Sequence, residues 1–460
     1  MNYGQIELKK NEEYIVDIID NGYEGEGIAK KNNFTIFIPN AIKGEKCRIV
    51  IVKVLKNYAY GKVIEILEKV NARTIEDCNT YKSCGGCALR HIKYEYTLKM
   101  KQDMVQNLVD KNLRGKLEVK ETIGMQAPYY YRNKLQYPIG VAKNGIPVMG
   151  VFAKRTHNII PVENCLIQNK EAQEVAKYIF DFIKENSIPV YRENEKRGQI
   201  RHIIIKVGIQ TNEIMCIIVT NEEYISQEDK LVKEICNKFK NVKSIIKNIN
   251  NKDTNVILGD KNVVLYGEKY ITDKLGEYIF KISPMSFYQT NPVQTEVLYN
   301  KAIELADLNK EDIICDLYCG IGTIGIFASK YVKKVYGIEI VEEAIEAAKE
   351  NAEINKVENV EFVAGDVEEV FDKMLIDKKI SPTVIMLDPP RKGVDKKTIQ
   401  TILSLGVEKI IYISCNPATM VRDINLLEKN YVIKEIQPVD MFPFTTHVEC
   451  VAVLQLKEEK

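Results

Sequence analysis

The sequence of 460 residues lacks the features that mark several specialised classes of protein. No run approaches the roughly 18 apolar residues that a membrane-spanning helix needs. Residues 1–7 contain no apolar core of the kind found in export signals, so we expect a cytoplasmic protein. No internal repeat or low-complexity segment stands out. A hydrophobic content of 45% with 28% charged residues is typical of a globular protein, here one of about three domains.

The net charge is also small, at +1, but the charges are unevenly distributed. Residues 81–160 hold 14 Lys and Arg against 5 Asp and Glu, whereas residues 286–460 hold 20 against 29. The basic segment predicts contact with a polyanion such as RNA, although a solvated lysine-rich surface would explain the same count. Within it, residues 129–137 interleave tyrosines with cations, as base stacking and phosphate contact would require. A strand with an aromatic core face is the alternative.

Eleven cysteines in a chain without an export signal favour metal binding or catalysis over a disulfide framework. Cys78, Cys84 and Cys87 lie within ten residues, and two glycines allow the backbone to fold tightly between the last two. Several thiolates repel one another unless a cation holds them, so we predict a bound metal or cluster. Cys165 is the nearest downstream candidate for a fourth ligand. The ligand count alone leaves zinc and an iron–sulfur cluster as alternatives.

The chain divides by pattern into three predicted domains. Residues 12–68 read as five short strands separated by turn residues and glycines, which suits a small closed barrel in a domain spanning 1–68. Such barrels commonly bind oligonucleotides, and a purely structural barrel is the alternative. Residues 69–285 alternate helix and strand patterns and form a predicted central α/β domain. Residues 286–460 show a regular βαβ pattern, which predicts a Rossmann-like domain.

The C-terminal pattern contains a candidate nucleoside site. A strand over 313–318 runs into a glycine loop that includes Gly320 and opens a helix, the context in which such a loop binds a ligand. Glu339 ends the next strand about 20 residues after the loop. Asp366 and Asp388 end two further strands. Acids beside phosphates would repel, so these three carboxylates disfavour NAD and favour S-adenosylmethionine.

A further strand, 410–413, is followed by Ser414, Cys415, Asn416 and Pro417. This places Cys415 at the carboxyl end of a strand, where open α/β sheets carry their chemistry. Cys415 is therefore a candidate nucleophile, with a buried core cysteine as the alternative.

Five segments together resemble those of the S-adenosylmethionine-dependent RNA (uracil-5-)methyltransferases, most closely the members that act on 23S ribosomal RNA. The matching segments are 287–292, 316–322, 388–391, 414–417 and 447–449. The N-terminal barrel resembles a TRAM domain, and the resemblance covers nearly the whole chain. An N-methyltransferase is disfavoured because Arg391 follows Asp388-Pro389-Pro390 and because Cys415 is present.

The resemblance implies roles for individual residues. Cys415 would add to uracil C6, and Glu449 would remove the C5 proton. The implied metal ligands, for a [4Fe–4S] cluster rather than zinc, are Cys78, Cys84, Cys87 and Cys165. The implied cofactor contacts are Gln289, Tyr318, Glu339, Asp366 and Asp388, with a weaker one from Thr323, which stands where some members have Asn.

The expected partner is 23S ribosomal RNA, because tRNA-directed bacterial members are generally shorter and lack the barrel and cluster. Neither a membrane nor an obligate protein partner is expected. A tRNA uracil-5-methyltransferase and a non-catalytic RNA-binding factor in ribosome assembly are the alternative functions.

Overall fold

The computed structural model describes residues 8–113, 117–142, 144–154 and 156–458. Its strands gather into three large sheets, which follow one another along the chain and are accompanied by helices. The protein is thus a multi-domain α/β structure, as predicted, while the borders between the domains stay a prediction. Across the described residues, no helix has the length and apolar character that a membrane crossing requires.

The first sheet contains six strands rather than the predicted five, because residues 20–21 form an additional short strand. The strands are β1 (Glu13–Asp17), β2 (Asp20–Asn21), β3 (Gly27–Lys31), β4 (Phe34–Ile38), β5 (Lys46–Val54) and β6 (Tyr58–Glu68). They are hydrogen-bonded in the order β1-β5-β6-β4-β3-β2. The Ile19 N–H donates to the Ile28 carbonyl over 2.8 Å. This bond connects the residues that follow β1 with strand β3, so the two ends of the sheet approach each other as in a barrel. Buried aliphatic side chains, including Ile36 and Ile49, fill the interior.

The middle of the chain forms a second, seven-stranded sheet and a hairpin. Its elements are α1 (Tyr94–Asn112), β7 (Lys134–Val141), β8 (Pro147–Phe152), β9 (Ile159–Pro161), α2 (Lys170–Glu185), β10 (Ile200–Val207), β11 (Ile214–Thr220), α3 (Glu228–Lys238), β12 (Val242–Ile249), β13 (Lys261–Gly267), β14 (Ile271–Leu275) and β15 (Tyr278–Ile282). The sheet order is β13-β12-β11-β10-β7-β8-β9. Helices α2 and α3 pack on one face, and residues of the β14–β15 hairpin pack on the other.

The aromatic stretch at 129–137 is divided between surface and interior. Tyr131 and Tyr137 are buried, whereas Tyr129 is 43% exposed. The alternative of an aromatic core face therefore holds for Tyr131 and Tyr137.

The C-terminal part is a third sheet with helices on both faces. Its elements are α4 (Pro292–Ala306), β16 (Ile313–Leu317), α5 (Thr323–Ala328), β17 (Lys334–Glu339), α6 (Glu342–Ile354), β18 (Val360–Ala364), α7 (Val367–Asp377), β19 (Val384–Leu387), α8 (Lys396–Leu405), β20 (Lys409–Ser414), α9 (Pro417–Leu427), β21 (Tyr431–Val439) and β22 (Glu449–Leu456). The strand order is β18-β17-β16-β19-β20-β22-β21. The strands β16 to β20 are mutually parallel, and β22 runs antiparallel to β20 and β21. This is the predicted Rossmann-like arrangement.

Helix α1 belongs to the third sheet by packing, although it lies in the middle of the sequence. Its apolar face contains Val105 and Val109, which are fully buried in one core cluster with residues of α9 and β20. The helix therefore fastens the middle of the chain to the sheet that carries the candidate site.

Candidate active site

The glycine loop after β16 turns sharply at the carboxyl edge of the third sheet. Tyr318, Gly320 and Gly322 all have positive φ angles, of 73°, 55° and 78°. A Cβ at Gly322 would lie 2.7 Å from Phe362 Cζ, so only glycine fits there. A Cβ at Gly320 would meet nothing within 4 Å. The loop thus leaves open space beside its backbone at the start of α5, which fits the close approach of a ligand.

Glu339, at the end of β17, holds this loop in place. Its Oε2 accepts a hydrogen bond of 3.2 Å from the Gly320 N–H, and its Oε1 accepts one of 3.0 Å from the Val341 N–H. This carboxylate, a predicted cofactor contact, is therefore beside the glycine loop and also fixes its backbone.

The other predicted cofactor residues lie on neighbouring elements. Asp366 is exposed and caps α7, accepting a 3.0 Å bond from the Glu368 N–H. Thr323 Oγ1 lies 3.0 Å from the Tyr299 hydroxyl. The Gln289 carbonyl accepts a 3.0 Å bond from Asn133, which ties its loop to the central part of the chain.

Cys415 and Glu449 are brought together by the pairing of β20 with β22. Ser414 is opposite Cys450 in this antiparallel pair. Cys415 follows Ser414 and Glu449 precedes Cys450, so the two residues lie at the same end of adjacent strands. Asn416 caps α9 and Pro417 is its first residue, which starts the helix directly after the cysteine. The two residues predicted as nucleophile and base are therefore neighbours, although they are 34 positions apart in the sequence.

Three interacting carboxyls, those of Asp316, Asp388 and Glu449 itself, lie at this end of the sheet. Burial raises the pKa of Asp388 to about 7. Burial raises the pKa of Glu449 to about 8, Asp388 raises it further, and Arg391 opposes them. Asp316, which was not among the predicted site residues, is fully buried, and its pKa is raised to about 8 by burial and by Asp388. At neutral pH these carboxyls are therefore poised between their charged and neutral forms.

The Cys415 thiol is held in its protonated form by the same surroundings. Burial raises its pKa to about 11, with smaller contributions from Glu449 and Asp388, while Arg391 lowers it. Arg391 belongs to the segment 388–391 that carries the resemblance, which implied no role for it. Its charge also acts on His447, whose pKa is lowered mainly by burial. Arg391 is thus the cation that favours a thiolate at this site.

Asp423 fixes the segment that carries Arg391. The Tyr412 hydroxyl donates to Asp423 Oδ2 over 2.7 Å, and the Val394 N–H donates to the same oxygen over 2.8 Å. This fully buried carboxylate therefore anchors the chain after Asp388 to β20, next to Cys415.

The four predicted cluster cysteines lie in one neighbourhood. Burial raises the pKa of Cys87 to about 12, Arg90 lowers it, and the thiols of Cys165, Cys84 and Cys78 raise it further. Cys87 and Cys165 pack beside a small cluster that contains Tyr131, Ile167 and Phe444. Nevertheless, a metal-holding arrangement of three or more His, Cys, Asp or Glu side chains is absent from the described part of the chain.

Comparison with known proteins places this chain in a family. The family model described as tRNA (Uracil-5-)-methyltransferase matches residues 151–457. The chain belongs to the tRNA (uracil-5-)-methyltransferase family. A TRAM domain model matches residues 7–64, which confirms the resemblance of the barrel to that domain.

Relatives of this uracil-5-methyltransferase span its full length. An uncharacterised RNA methyltransferase of Clostridium acetobutylicum is 46% identical over 456 residues, which cover 98% of both chains. Another, from Staphylococcus aureus, is 44% identical over 451 residues, covering 98% of this chain and 99% of its own. The crystal structure of Pyrococcus abyssi tRNA (uracil-54, C5)-methyltransferase in complex with S-adenosyl-L-homocysteine has a TM-score of 0.76 and 26% identity. It covers 96% of this chain and 100% of its own.

These findings confirm the predicted activity class. The protein is an S-adenosylmethionine-dependent RNA (uracil-5-)methyltransferase with a TRAM domain. The roles of single residues, the iron–sulfur cluster and the choice of ribosomal RNA stay predictions.

Proposed function

We propose that this methyltransferase modifies C5 of a specific uridine in 23S ribosomal RNA, with Cys415 as nucleophile and Glu449 as base. The observation that carries the proposal is the placement of Cys415 and Glu449 at the same end of two paired strands, beside Arg391. In this proposal residues 286–460 perform the chemistry, while domains at 1–68 and 69–285 hold the RNA.

The chemistry requires a thiol and a base in this order. Uracil C5 is too weak a nucleophile to take a methyl group unaided, and S-adenosylmethionine supplies that group in an electrophilic form. The Cys415 thiolate adds to C6, which moves electron density to C5 and makes it nucleophilic. After methylation C5 still carries its proton. Glu449 removes this proton, and the C–S bond to Cys415 then breaks to restore the aromatic ring.

Asp388 is proposed to act on both the ring and the cofactor. Its pKa of about 7 lets the carboxyl donate a hydrogen bond when neutral and accept one when charged. The cofactor would be held by Gln289, Tyr318, Gly320, Thr323, Glu339, Asp366 and Asp388. The open space beside Gly320 supports this assignment, and Glu339 and Asp366 supply carboxylates for hydroxyls.

A [4Fe–4S] cluster on Cys78, Cys84, Cys87 and Cys165 is the proposed metal centre. The mutual effect of these thiols on their pKa values supports it, since four such groups close together are stabilised by a cation. The Gly86 N–H also donates to Cys84 Sγ over 3.2 Å, a contact that tunes cluster thiolates. We assign it a structural role, because nothing in the proposed reaction transfers an electron.

A tRNA substrate is the second candidate, since the P. abyssi relative is described as a tRNA (uracil-54, C5)-methyltransferase. The deciding experiment maps 5-methyluridine in 23S ribosomal RNA and in tRNA from a deletion strain and its parent. Loss of one site in 23S RNA with tRNA unchanged is the expected result, and loss confined to tRNA would select the second candidate. If neither RNA loses a methyl group, the catalytic proposal fails in favour of a non-catalytic RNA-binding role. Release of tritium from 5-tritiated uridine RNA by the purified enzyme provides an independent check.

A further inference from the structure

The turn between β2 and β3 of the barrel lies where all three parts of the chain meet. A Cβ at Gly25, whose φ is +83°, would lie 2.7 Å from Leu89 Cδ2 and 3.1 Å from Thr446 Cγ2. Leu89 follows Cys87 by two residues, and Thr446 precedes Glu449 by three residues. The absence of a side chain at Gly25 therefore allows the barrel to approach the active site closely.

Tyr23 lies two residues before Gly25 and lines one cavity together with Leu89 and Thr446. The side chain is 50% exposed, so one part of the ring is covered and another is open to solvent. Burial raises the pKa of its phenol, and Arg391, Cys450 and Cys415 are the neighbours that act on it. Glu24, the next residue, is 3.7 Å from Lys154 of the central part, which holds the turn from the other side. A residue of the barrel is thus close to the residues that are proposed to react.

The position of Tyr23 indicates what it contacts. The residues assigned to the cofactor, such as Gly320 and Glu339, lie around β16 and β17. Thr446, which shares a cavity with Tyr23, instead lies three residues before Glu449, the first residue of β22. The nucleotide has to reach this side, because its C6 must meet the sulfur. A uridine that leaves its stack loses contact with neighbouring bases, and a half-exposed aromatic ring offers a replacement surface.

We propose that Tyr23 is a substrate-binding residue that stacks on the RNA nucleotide entering the active site, so that the barrel forms one wall of the uridine pocket. The inference rests on the proposed function of Cys415 and Glu449. It gives the barrel a part in positioning the target base, beyond general affinity for the RNA backbone.

The first test compares Tyr23→Ala with Tyr23→Phe and with Tyr224→Ala, which removes a tyrosine that is 67% exposed in the central part. The substrate is a 23S ribosomal RNA transcript containing 5-fluorouridine, with S-adenosylmethionine present. Covalent adduct formation should slow by about tenfold or more in Tyr23→Ala, since base–aromatic stacking is worth that much. Tyr23→Phe should recover most of the rate, and Tyr224→Ala should react like the wild type. An unchanged rate in Tyr23→Ala would overturn the proposal.

The second test needs no catalysis and separates this inference from the proposed function. Wild-type enzyme is irradiated with the same transcript carrying 5-iodouridine, and the crosslinked peptides are identified by mass spectrometry. We expect a crosslink at Tyr23 in the wild type. It should disappear in Tyr23→Ala and be kept at this position in Tyr23→Phe, whose ring can still stack on the base. If the wild type forms no fluorouridine adduct, the proposed reaction fails, and the crosslink alone then decides whether Tyr23 contacts RNA. If none of the crosslinked peptides carries its crosslink within residues 20–27, the proposed contact between Tyr23 and the RNA is refuted.

Discussion

Lys101 Nζ lies 2.6 Å from Asp440 Oδ1 in the interior of the protein, with side chains that are 2% and 0% exposed. Lys101 also donates to the Phe442 carbonyl over 3.1 Å, and the Tyr94 hydroxyl donates to the second oxygen of Asp440 over 3.0 Å. The pair therefore connects α1 to the segment between β21 and β22, which ends at Glu449. A fully desolvated ion pair at this place holds the proposed base in register with β20.

Breaking this ion pair should destabilise the protein strongly. In Asp440→Asn or Lys101→Met one charge stays buried without its partner, which typically costs about 3–5 kcal/mol. Urea unfolding should detect the loss as a lower midpoint. The double variant Lys101→Met/Asp440→Leu should recover much of the stability, because both charges are then removed.

The exposed pair Lys196–Asp253 provides the control for this measurement. Asp253→Asn should leave the urea midpoint nearly unchanged, because solvent screens surface ion pairs. If Asp440→Asn and Lys101→Met changed the urea midpoint as little as Asp253→Asn, the buried Lys101–Asp440 pair would not anchor the segment between β21 and β22.

Cys415→Ser should abolish the covalent complex with 5-fluorouridine RNA. A serine hydroxyl at this site lacks a base strong enough to ionise it, so it does not add to C6. The complex is read as a shifted band on a denaturing gel. Cys236→Ser, which changes a half-buried thiol on α3, should form the complex normally. Methylation by Cys415→Ser at the wild-type rate would remove the basis of the mechanism.

Glu449→Gln should separate the two halves of the reaction. The amide does not accept the C5 proton, so turnover should fall by about 10²–10⁴-fold while the thiol still adds to the ring. An adduct with ordinary uridine RNA should then accumulate, and tritium release from C5 should be lost. Normal tritium release would show that another group removes the proton.

The rate should rise with pH over a wide interval. The thiolate fraction of Cys415 increases about tenfold per pH unit below its pKa of about 11, and Glu449 becomes a competent base as pH passes its pKa of about 8. Both effects have the same sign, so single-turnover methylation should increase from pH 6 to 9 without a plateau near 7.

Arg391→Gln removes a charge that lowers both pKa values, and its profile should move to higher pH than that of the wild type. Arg391→Lys keeps the charge and should move the profile less. A profile that is unchanged in Arg391→Gln would exclude this electrostatic role.

Local sequence signals determined much of the site but little of its surroundings. Asn and Pro are favoured at the N-cap and at the first position of a helix, so Asn416 and Pro417 made the strand-end position of Cys415 predictable. The packing of α1 on the third sheet was not predictable, because Lys101 and Asp440 are 339 positions apart and neither belongs to a motif. The reach of Tyr23 to the active site likewise depends on how separate sheets dock. The hydrophobic periodicity of a helix or strand shows which of its faces is buried. It carries no information about which distant part of the chain packs against that face.

The three residues directly after Cys87 contact the same stretch that Asp440 anchors. The N–H groups of Ala88 and Leu89 donate to the Phe444 carbonyl over 3.1 and 3.0 Å, and Arg90 lies 4.3 Å from the centre of the Phe444 ring. Phe444 has a positive φ of 65°, an unusual conformation that these contacts support. The thiols and the segment before Glu449 are therefore packed into one unit.

Replacing a cluster cysteine should thus affect both metal content and this segment. Cys87→Ser should lose iron and acid-labile sulfide from anaerobically purified protein, because three thiolates hold a [4Fe–4S] cluster less tightly than four. Hydrogen exchange in residues 440–448 should accelerate, since Ala88 and Leu89 lose a fixed neighbour. Cys216→Ser changes a buried thiol in β11. This variant should keep its iron, and its hydrogen exchange in residues 440–448 should stay as slow as in the wild type. If the wild type contains zinc in place of iron, the site is a zinc site. If the wild type contains no metal and residues 440–448 still exchange slowly, the four thiols do not form a metal site.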